Sequence, residues 1–389
     1  MSRYVSRTSR WTLPRGKLPT LDIELTERCD NCCIHCCISQ PIDDHAVQAQ
    51  ELPSIRIRRL LEEAALLGCL QVRFTGGEPL LREEFRDLYI YARRLGMRVM
   101  LFTNARRITR GLADLFTRVP PLVPIEVSVY GMTRSSYEAV TRAPGSHAEF
   151  QRGLSELDRQ QIPYVVKWVV LPPNLDELEV FQTWAGTIPW MTQPPNVNLA
   201  LQLRSRRDSE ERNQLIAGLR FDPKRWGTIF AGEANAKKLE FHDFCRRFLG
   251  PQGNRLFDCG FGDTPCVDAY GRLQPCLSIR APELTYDLDQ GTFVEALTEF
   301  FPALREVKAV NPDYRQRCAR CFLKGLCDQC PAWSWTEHGT LDTPVDHICE
   351  LAHEQARAIG LLIDKEKGWE TADWKNRIQN LGKLEKRDI

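Results

Sequence analysis

From Leu21 onward, short apolar runs alternate with stretches in which apolar residues recur every three or four positions. Leu21-Asp22-Ile23-Glu24-Leu25 reads as strand one. Residues 54 to 67, SIRIRRLLEEAALL, have helical spacing and meet a stop at Gly68. The pattern then predicts strand two at 70–75, a helix near 82–95 closed by Gly96, and strand three at 98–104. A helix over roughly 106–117, strand four at 124–131, and helices near 133–141 and 147–160 follow. Strand five falls at 163–171, a helix begins near Asn174, and strand six falls at 196–203. Six strand–helix units in a row imply an α/β fold, a parallel sheet with helices outside it. Right-handed crossovers would curl it into a partial (β/α)6 barrel. Ligands of such sheets sit at the carboxyl ends of the strands.

The pattern weakens after the proline-rich PWMTQPP at 189–195. The expected organisation is a basic arm at 1–17, the barrel at 18–220, a bridging segment at 221–254 with a possible helix at 236–248, a small domain at 255–352, and a C-terminal stretch at 353–389. From Leu351 the sequence LAHEQARAIGLLI reads as a helix that would cap the barrel, with a plain surface helix as the alternative, and a charged tail carrying Trp369 and Trp374 follows.

Charge excludes more than it suggests. Of 389 residues, 52 are basic and 51 acidic, a formal net charge of +1, which does not favour nucleic acid or an anionic membrane as partner. No apolar run reaches the length of a membrane span. The N-terminus has five basic residues and no acid, but no apolar core follows, so it does not read as a secretory signal. Fifteen cysteines without such a signal argue for metal thiolates in a reducing cytoplasm.

Five cysteines crowd the stretch ELTERCDNCCIHCC, namely Cys29, Cys32, Cys33, Cys36 and Cys37. Only Cys29, Cys33 and Cys36 give the spacing C-x3-C-x2-C. Three thiolates in one loop can bind three irons of a 4Fe–4S cubane and leave the fourth open. A zinc knuckle, or a cluster that only carries electrons, fits the loop alone equally well. A second motif follows strand two: VRFTGGEPL, with Gly76, Gly77 and Glu78. The glycines permit close backbone approach to a ligand, and Glu78 can accept from an ammonium group.

The two motifs together, in this order and each at a strand end, resemble the radical SAM enzymes over about residues 18–220. The resemblance implies that the open iron binds S-adenosylmethionine (SAM) and that Gly76-Gly77-Glu78 holds its methionine amino group. Asn104, ending strand three, falls among the implied cofactor contacts. Ser128, in SVYG at the end of strand four, matches the hydroxyl that contacts the ribose; a satisfied strand-end hydroxyl is the plain alternative. Arg142 matches the arginine that pairs with the SAM carboxylate, against a solvated helix-end charge. His35 stands where the family places an aromatic residue near adenine; a fourth zinc ligand is the alternative. Cys32 and Cys37 are surplus and read as small apolar packing, as does Cys69 in the core.

The second cysteine group is CGFGDTPCVDAYGRLQPC, with Asp268–Gly271 as a hairpin turn, then CARCFLKGLCDQC and Cys349. The pairs alone suit a zinc ribbon. The whole resembles the SPASM extension of radical SAM enzymes, over about 255–352, with two residues in the last gap where three are usual. The resemblance implies two auxiliary 4Fe–4S clusters, three in all with the SAM cluster. Cys318, Cys321, Cys327 and Cys349 would hold one. Cys259, Cys276 and Cys330 would hold the other, with Cys266, then Cys245, as candidates for its fourth ligand.

The activity implied is one-electron cleavage of SAM to a 5′-deoxyadenosyl radical, which takes hydrogen from a ribosomally made peptide to crosslink, oxidise or excise. Leu277 stands where sulfatase maturases carry an aspartate base, which counts against that activity. No residue is assigned as catalytic acid or base. The stretch before strand one is too short for a winged-helix leader-binding domain, so a separate leader-binding protein is expected, with flavodoxin or ferredoxin as electron donor. A small-molecule substrate and a non-catalytic iron–sulfur or zinc protein are the other classes.

Overall fold

A computed structural model describes residues 18–229, 245–257, 259 and 262–381. The strands are β1 (Thr20–Thr26), β2 (Arg28–Cys29), β3 (Gln40–Pro41), β4 (Gln71–Gly76), β5 (Arg98–Thr103), β6 (Ile125–Val129), β7 (Tyr164–Val169), β8 (Asn196–Asn198), β9 (Cys266–Val267), β10 (Arg272–Gln274) and β11 (Tyr286–Asp287). Nine of them form one sheet in the order β11-β10-β9-β1-β4-β5-β6-β7-β8. From β9 through β8 every neighbouring pair is parallel, and β10 and β11 close the edge antiparallel. The separate pair β2–β3 is parallel.

Sequential parallel strands need crossovers, and amphipathic helices supply them. They run Ser54–Leu66, Phe85–Arg94, Arg110–Arg118, Arg134–Thr141, Ser146–Arg159 and Leu178–Ala185. The helix expected from 106 starts at Arg110, because the Thr109 side chain caps it by accepting from Leu112 N. Strand six is cut to three residues. Leu199, Leu201 and Leu203 keep their alternation and stay buried, but without a ladder partner beyond Asn198. A helix at Glu210–Gly218, capped by Ser209, was not anticipated.

The two faces of the sheet differ in kind. Val72, Phe74, Val99, Leu101, Ile125, Val127, Val166 and Trp168 are buried. Phe74 meets Phe85 edge-on at 6.1 Å and Trp168 stacks on Phe181 at 4.5 Å, so this face packs on the helices. The alternate positions carry charge. Arg73 pairs with Asp22 at 2.9 Å and its guanidinium lies 4.6 Å from the Phe102 ring. Lys167 lies 3.9 Å from the same ring and pairs with Glu126 at 2.7 Å. Parallel sheets covered on both sides are apolar on both. The charged alternate positions set this face apart from such a sheet.

The hairpin turn at Asp268–Gly271 forms as expected, with Gly271 N donating to Asp268 O at 3.2 Å. Its partner strand is the unexpected part: β9 lies against β1, pairing Asp22 with Cys266 and Ile23 with Val267. The chain divides into two compact units, Met1–Arg220 with Gly260–Pro302, and Phe221–Cys259 with Ala303–Ile389. The stretch 255–352 is therefore shared between them. In the second unit, Cys245, Leu249, Phe322, Leu323, Ala356, Leu361 and Ile378 form the core, with Trp369 and Trp374 packed on it. The C-terminal stretch, expected as one helix and a charged tail, thus supplies two helices to the second unit's core, Asp346–Ala358 and Trp374–Leu381. Residues 1–17, most of the expected 236–248 helix and the last eight residues lie outside the described residues. Among the described residues no helix is long and apolar enough to cross a membrane.

Candidate iron–sulfur and SAM site

The cysteine loop is anchored by backbone before any ligand is considered. Gly77 N donates to Thr26 O at 2.8 Å and Glu78 N to Arg28 O at 2.9 Å. A Cβ on Gly76 would collide with the Thr26 carbonyl, and one on Gly77 with the carbonyls of Glu27 and Arg28. The close approach that these glycines permit here is to the root of the loop itself. Cys32 N and Ile34 N donate to Thr141 O and Val140 O at 2.8 and 3.0 Å, the last carbonyls of a helix. On the far side Arg204, 2% exposed, donates to Ser39 O at 3.2 Å while paired with Asp208 at 2.7 Å. Arg212 donates to the same carbonyl at 2.9 Å.

Glu78 is fully buried at the end of β4. Its carboxylate accepts from Thr103 Oγ1 at 2.9 Å, Asn104 N at 2.8 Å and Leu80 N at 3.1 Å. Burial first, and Asp30 second, push its pKa up to about 7. An ammonium group arriving there would meet a carboxylate poised to gain a charge partner. Asn104, 4% exposed, bridges outward: its Nδ2 donates to Asp30 Oδ1 at 2.7 Å and lies 3.9 Å from Cys29 Sγ. Asp30 also meets Arg107 at 2.9 Å and Arg106 at 3.6 Å. The structure thus brings Glu78, Asn104 and Cys29 together.

The thiols fit an iron–sulfur cluster. Asn31 N points at Cys29 Sγ at 3.4 Å and Ser39 N at Cys36 Sγ at 3.3 Å, the kind of hydrogen bond that tunes a cluster's sulfurs. Burial pushes the Cys29 and Cys33 thiols well up. His35 lies 5.8 Å from Tyr130, ring to ring, and burial lowers its pKa to about 4. Its Nδ1 is buried without a hydrogen-bond partner. Ser128 is half-buried in β6, opposite Lys167. Arg142 is exposed, in the left-handed region at φ 50°, its N–H closing a helix onto Glu138 O. Cys37 is half-buried and burial raises its thiol to about 11, whereas Cys32 is exposed, so the expected apolar packing of Cys32 does not hold. Cys69 is buried, as expected.

In the second unit Cys318, Cys321, Cys327 and Cys349 line one cavity. Leu323, Lys324, Gln329, His353 and Trp369 complete its wall. Gly368 has no side chain because a Cβ there would lie 2.7 Å from Cys321 Sγ. His353 Nε2 accepts from Gly368 N at 2.9 Å, which assigns the ring proton to Nδ1, 2.7 Å from Cys349 O. These residues were missed as site residues. His353 was findable, since it lies four residues after Cys349 on one helix face. Gly368 and Trp369 carried no local signal. Of the other expected ligands, Cys266 and Cys276 fall in the first unit and Cys259 and Cys330 in the second. Cys330 caps the helix Pro331–His338, Cys259 is exposed, Cys276 is half-buried after β10, and Cys266 is buried within β9. Cys266 donates to Val267 O at 3.7 Å and Cys245 sits in the second unit's core.

Residues 23–185 match the model of the Radical SAM superfamily. PqqA peptide cyclase of Ruegeria pomeroyi is 32% identical over 156 residues, 40% of this chain and 41% of that protein. The AdoMet-dependent heme synthase of Methanosarcina barkeri is 26% identical over 155 residues, 40% of this chain and 43% of that protein. The matched stretch is thus less than half the length of these curated relatives. Among solved structures, Streptococcus suis SuiB bound to S-adenosylmethionine has a TM-score of 0.61 at 14% identity, covering 86% of this chain and 77% of that one. The anSMEcpe structure with bound AdoMet and Kp18Cys peptide has a TM-score of 0.60 at 12% identity, covering 94% and 100%. Fold, motif placement and family model agree over one stretch: from Ile23 to Ala185 this chain matches the radical SAM domain.

Proposed function

We propose that this chain is a radical SAM enzyme that modifies a ribosomally synthesised peptide. The observation that carries the reading is the joining of two motifs: Glu78, pinned by Thr103 and Asn104, sits one hydrogen-bonded link from Cys29. Cys29, Cys33 and Cys36 would hold the cluster, and Gly76, Gly77, Glu78, Asn104, Ser128 and Arg142 are assigned to SAM. When bound, the reduced cluster supplies the electron that breaks the sulfonium bond of SAM and releases a hydrogen-abstracting radical. The protein's own part is to fix and shield. Glu78 offers its carboxylate to the methionine ammonium, and its pKa near 7 falls as that charge arrives. The charged inner face of the sheet, Asp22, Arg73, Glu126 and Lys167, offers polar anchors to a peptide backbone.

Two auxiliary clusters complete the proposal, one on Cys318, Cys321, Cys327 and Cys349, the other on Cys259, Cys276 and Cys330 with Cys266 as candidate fourth ligand. The shared cavity of the first four supports that assignment. A flavodoxin or ferredoxin would deliver the electron in a reducing cytoplasm, and a separate protein would present the peptide's leader. Tight capture of the leader by this chain alone would contradict the last point. Peptide substrates are favoured by PqqA peptide cyclase among the relatives and by SuiB solved with its precursor peptide SuiA. The heme synthase among the relatives favours the second reading, a small-molecule substrate.

Anaerobically reconstituted protein with dithionite should convert SAM to 5′-deoxyadenosine. A peptide encoded beside the gene should change mass when co-expressed. No SAM cleavage rejects the enzyme reading. Cleavage with an unmodified peptide moves the weight to the small molecule.

A further inference from the structure

The cavity lined by Cys318, Cys321, Cys327 and Cys349 also contains a cation. Lys324 lies between the second and third of these cysteines in sequence, and its side chain lines the same cavity. It is 8% exposed, unusual for a lysine. Its Nζ donates to Gln329 O at 2.9 Å and lies 5.6 Å from the centre of the Tyr314 ring. Both contacts keep the ammonium fixed and inside. A second cation, Arg317, reaches Cys349, but it also pairs with the exposed carboxylates of Asp313 at 3.0 Å and Asp346 at 2.7 Å. Its side chain is 22% exposed, so solvent screens it more.

Resting on the proposal that these four cysteines hold a 4Fe–4S cluster, we infer that Lys324 is a potential-setting residue for it. Four thiolates around such a cluster leave an excess of negative charge, and adding an electron adds more. A fixed positive charge in a low-dielectric wall stabilises the reduced form over the oxidised one. Net charge, hydrogen bonds to sulfur and solvent exposure are the levers that set cluster potentials. Here the buried ammonium raises the potential, while Leu323 and Trp369 on the wall keep screening water out. Lys324 thereby makes this cluster easier to reduce than it would be without the ammonium.

The test is a redox titration of the reconstituted full chain, followed by electron paramagnetic resonance, with the signal assigned by its loss in Cys349→Ala. Lys324→Gln should keep its iron and lower the reduced-to-oxidised ratio at fixed potential about tenfold, equal to about 59 mV for one electron. Lys324→Arg should hold the potential near wild type, and Arg317→Gln should move it less than Lys324→Gln. If Lys324→Gln does not load, Lys324→Met is read by the same criteria. An iron-replete Lys324 variant with unchanged potential, or a larger shift in Arg317→Gln, overturns the inference. Failure of the underlying reading looks different: a chain with all four cysteines changed to alanine would hold as much iron as wild type.

Discussion

Gly77 shows how much a single residue constrains this site. A methyl group there would press into the carbonyls of Glu27 and Arg28, which belong to the backbone and cannot rotate away. Gly77→Ala should cost about 1–3 kcal/mol, the range for forced overpacking. Iron on the neighbouring loop should fall with it; full stability and full iron would disprove the account. The sequence showed that glycine was needed here but not what it approaches, because the partner is reached only through the β1–β4 pairing. Asp22 makes a pH prediction at the same scale. Burial, opposed by Arg73, raises its pKa from 3.8 to about 7. In that window the native state keeps a proton that the unfolded chain has released, so the group's contribution to stability falls as pH rises and levels off above about 7. Asp22→Asn removes the effect. Its stability relative to wild type should improve with pH across the window, by up to about 1.4 kcal/mol per unit. Denaturant melts at about pH 5 and about pH 8 read the difference. A constant gap between the two proteins would show that Asp22 is ionised throughout.

At the scale of elements, the six strands were legible because period two and period 3.6 leave different traces. Of the elements that escaped, two lie close to the cysteine loop's supports. The helix Glu210–Gly218 buries only Asn213 and Ile216, so it has almost no apolar stripe. It is held by Ser209 and by Asn213 Oδ1 accepting from Arg204 N at 2.9 Å, which are polar and long in reach. The hairpin β9–β10 was visible as a turn, but its pairing with β1 joins residues more than two hundred positions apart. Asp268 is what ties that hairpin together. Its Oδ1 accepts from Arg272 N at 2.8 Å and Tyr270 N at 3.0 Å, and its Oδ2 meets Arg206 at 3.0 Å. Arg206 in turn pairs with the buried Glu27 at 2.7 Å, at the root of the cysteine loop. Asp268→Ala should therefore cost about 1.5–3 kcal/mol, the range for hydrogen bonds to a charged group. Hydrogen exchange should speed up at the amides of Tyr270 and Arg272. Unchanged exchange at both would show that the ladder alone holds the hairpin.

For the whole molecule, local patterns could show two cysteine groups but not that their boundary runs through the second. Cys29, Cys33 and Cys36 lie in the first unit, and Cys318, Cys321, Cys327 and Cys349 in the second. Each unit has its own buried core, the second built on Phe322, Leu323 and Ala356. Sites built into separate cores should load and fail separately. Three cubanes would give about twelve irons per chain. Changing Cys29, Cys33 and Cys36 to alanine should remove about four and abolish SAM cleavage, while leaving the signal of the cavity cluster intact. Changing Cys318, Cys321, Cys327 and Cys349 should also remove about four, yet leave reductive cleavage of SAM measurable, because the loop's anchors at Glu78, Thr141 and Arg204 all lie in the first unit. Peptide modification, which would need both, should stop in either case. Loss of all iron from either set of substitutions would mean that the two sites fold as one, and the division argued from the cores would be wrong.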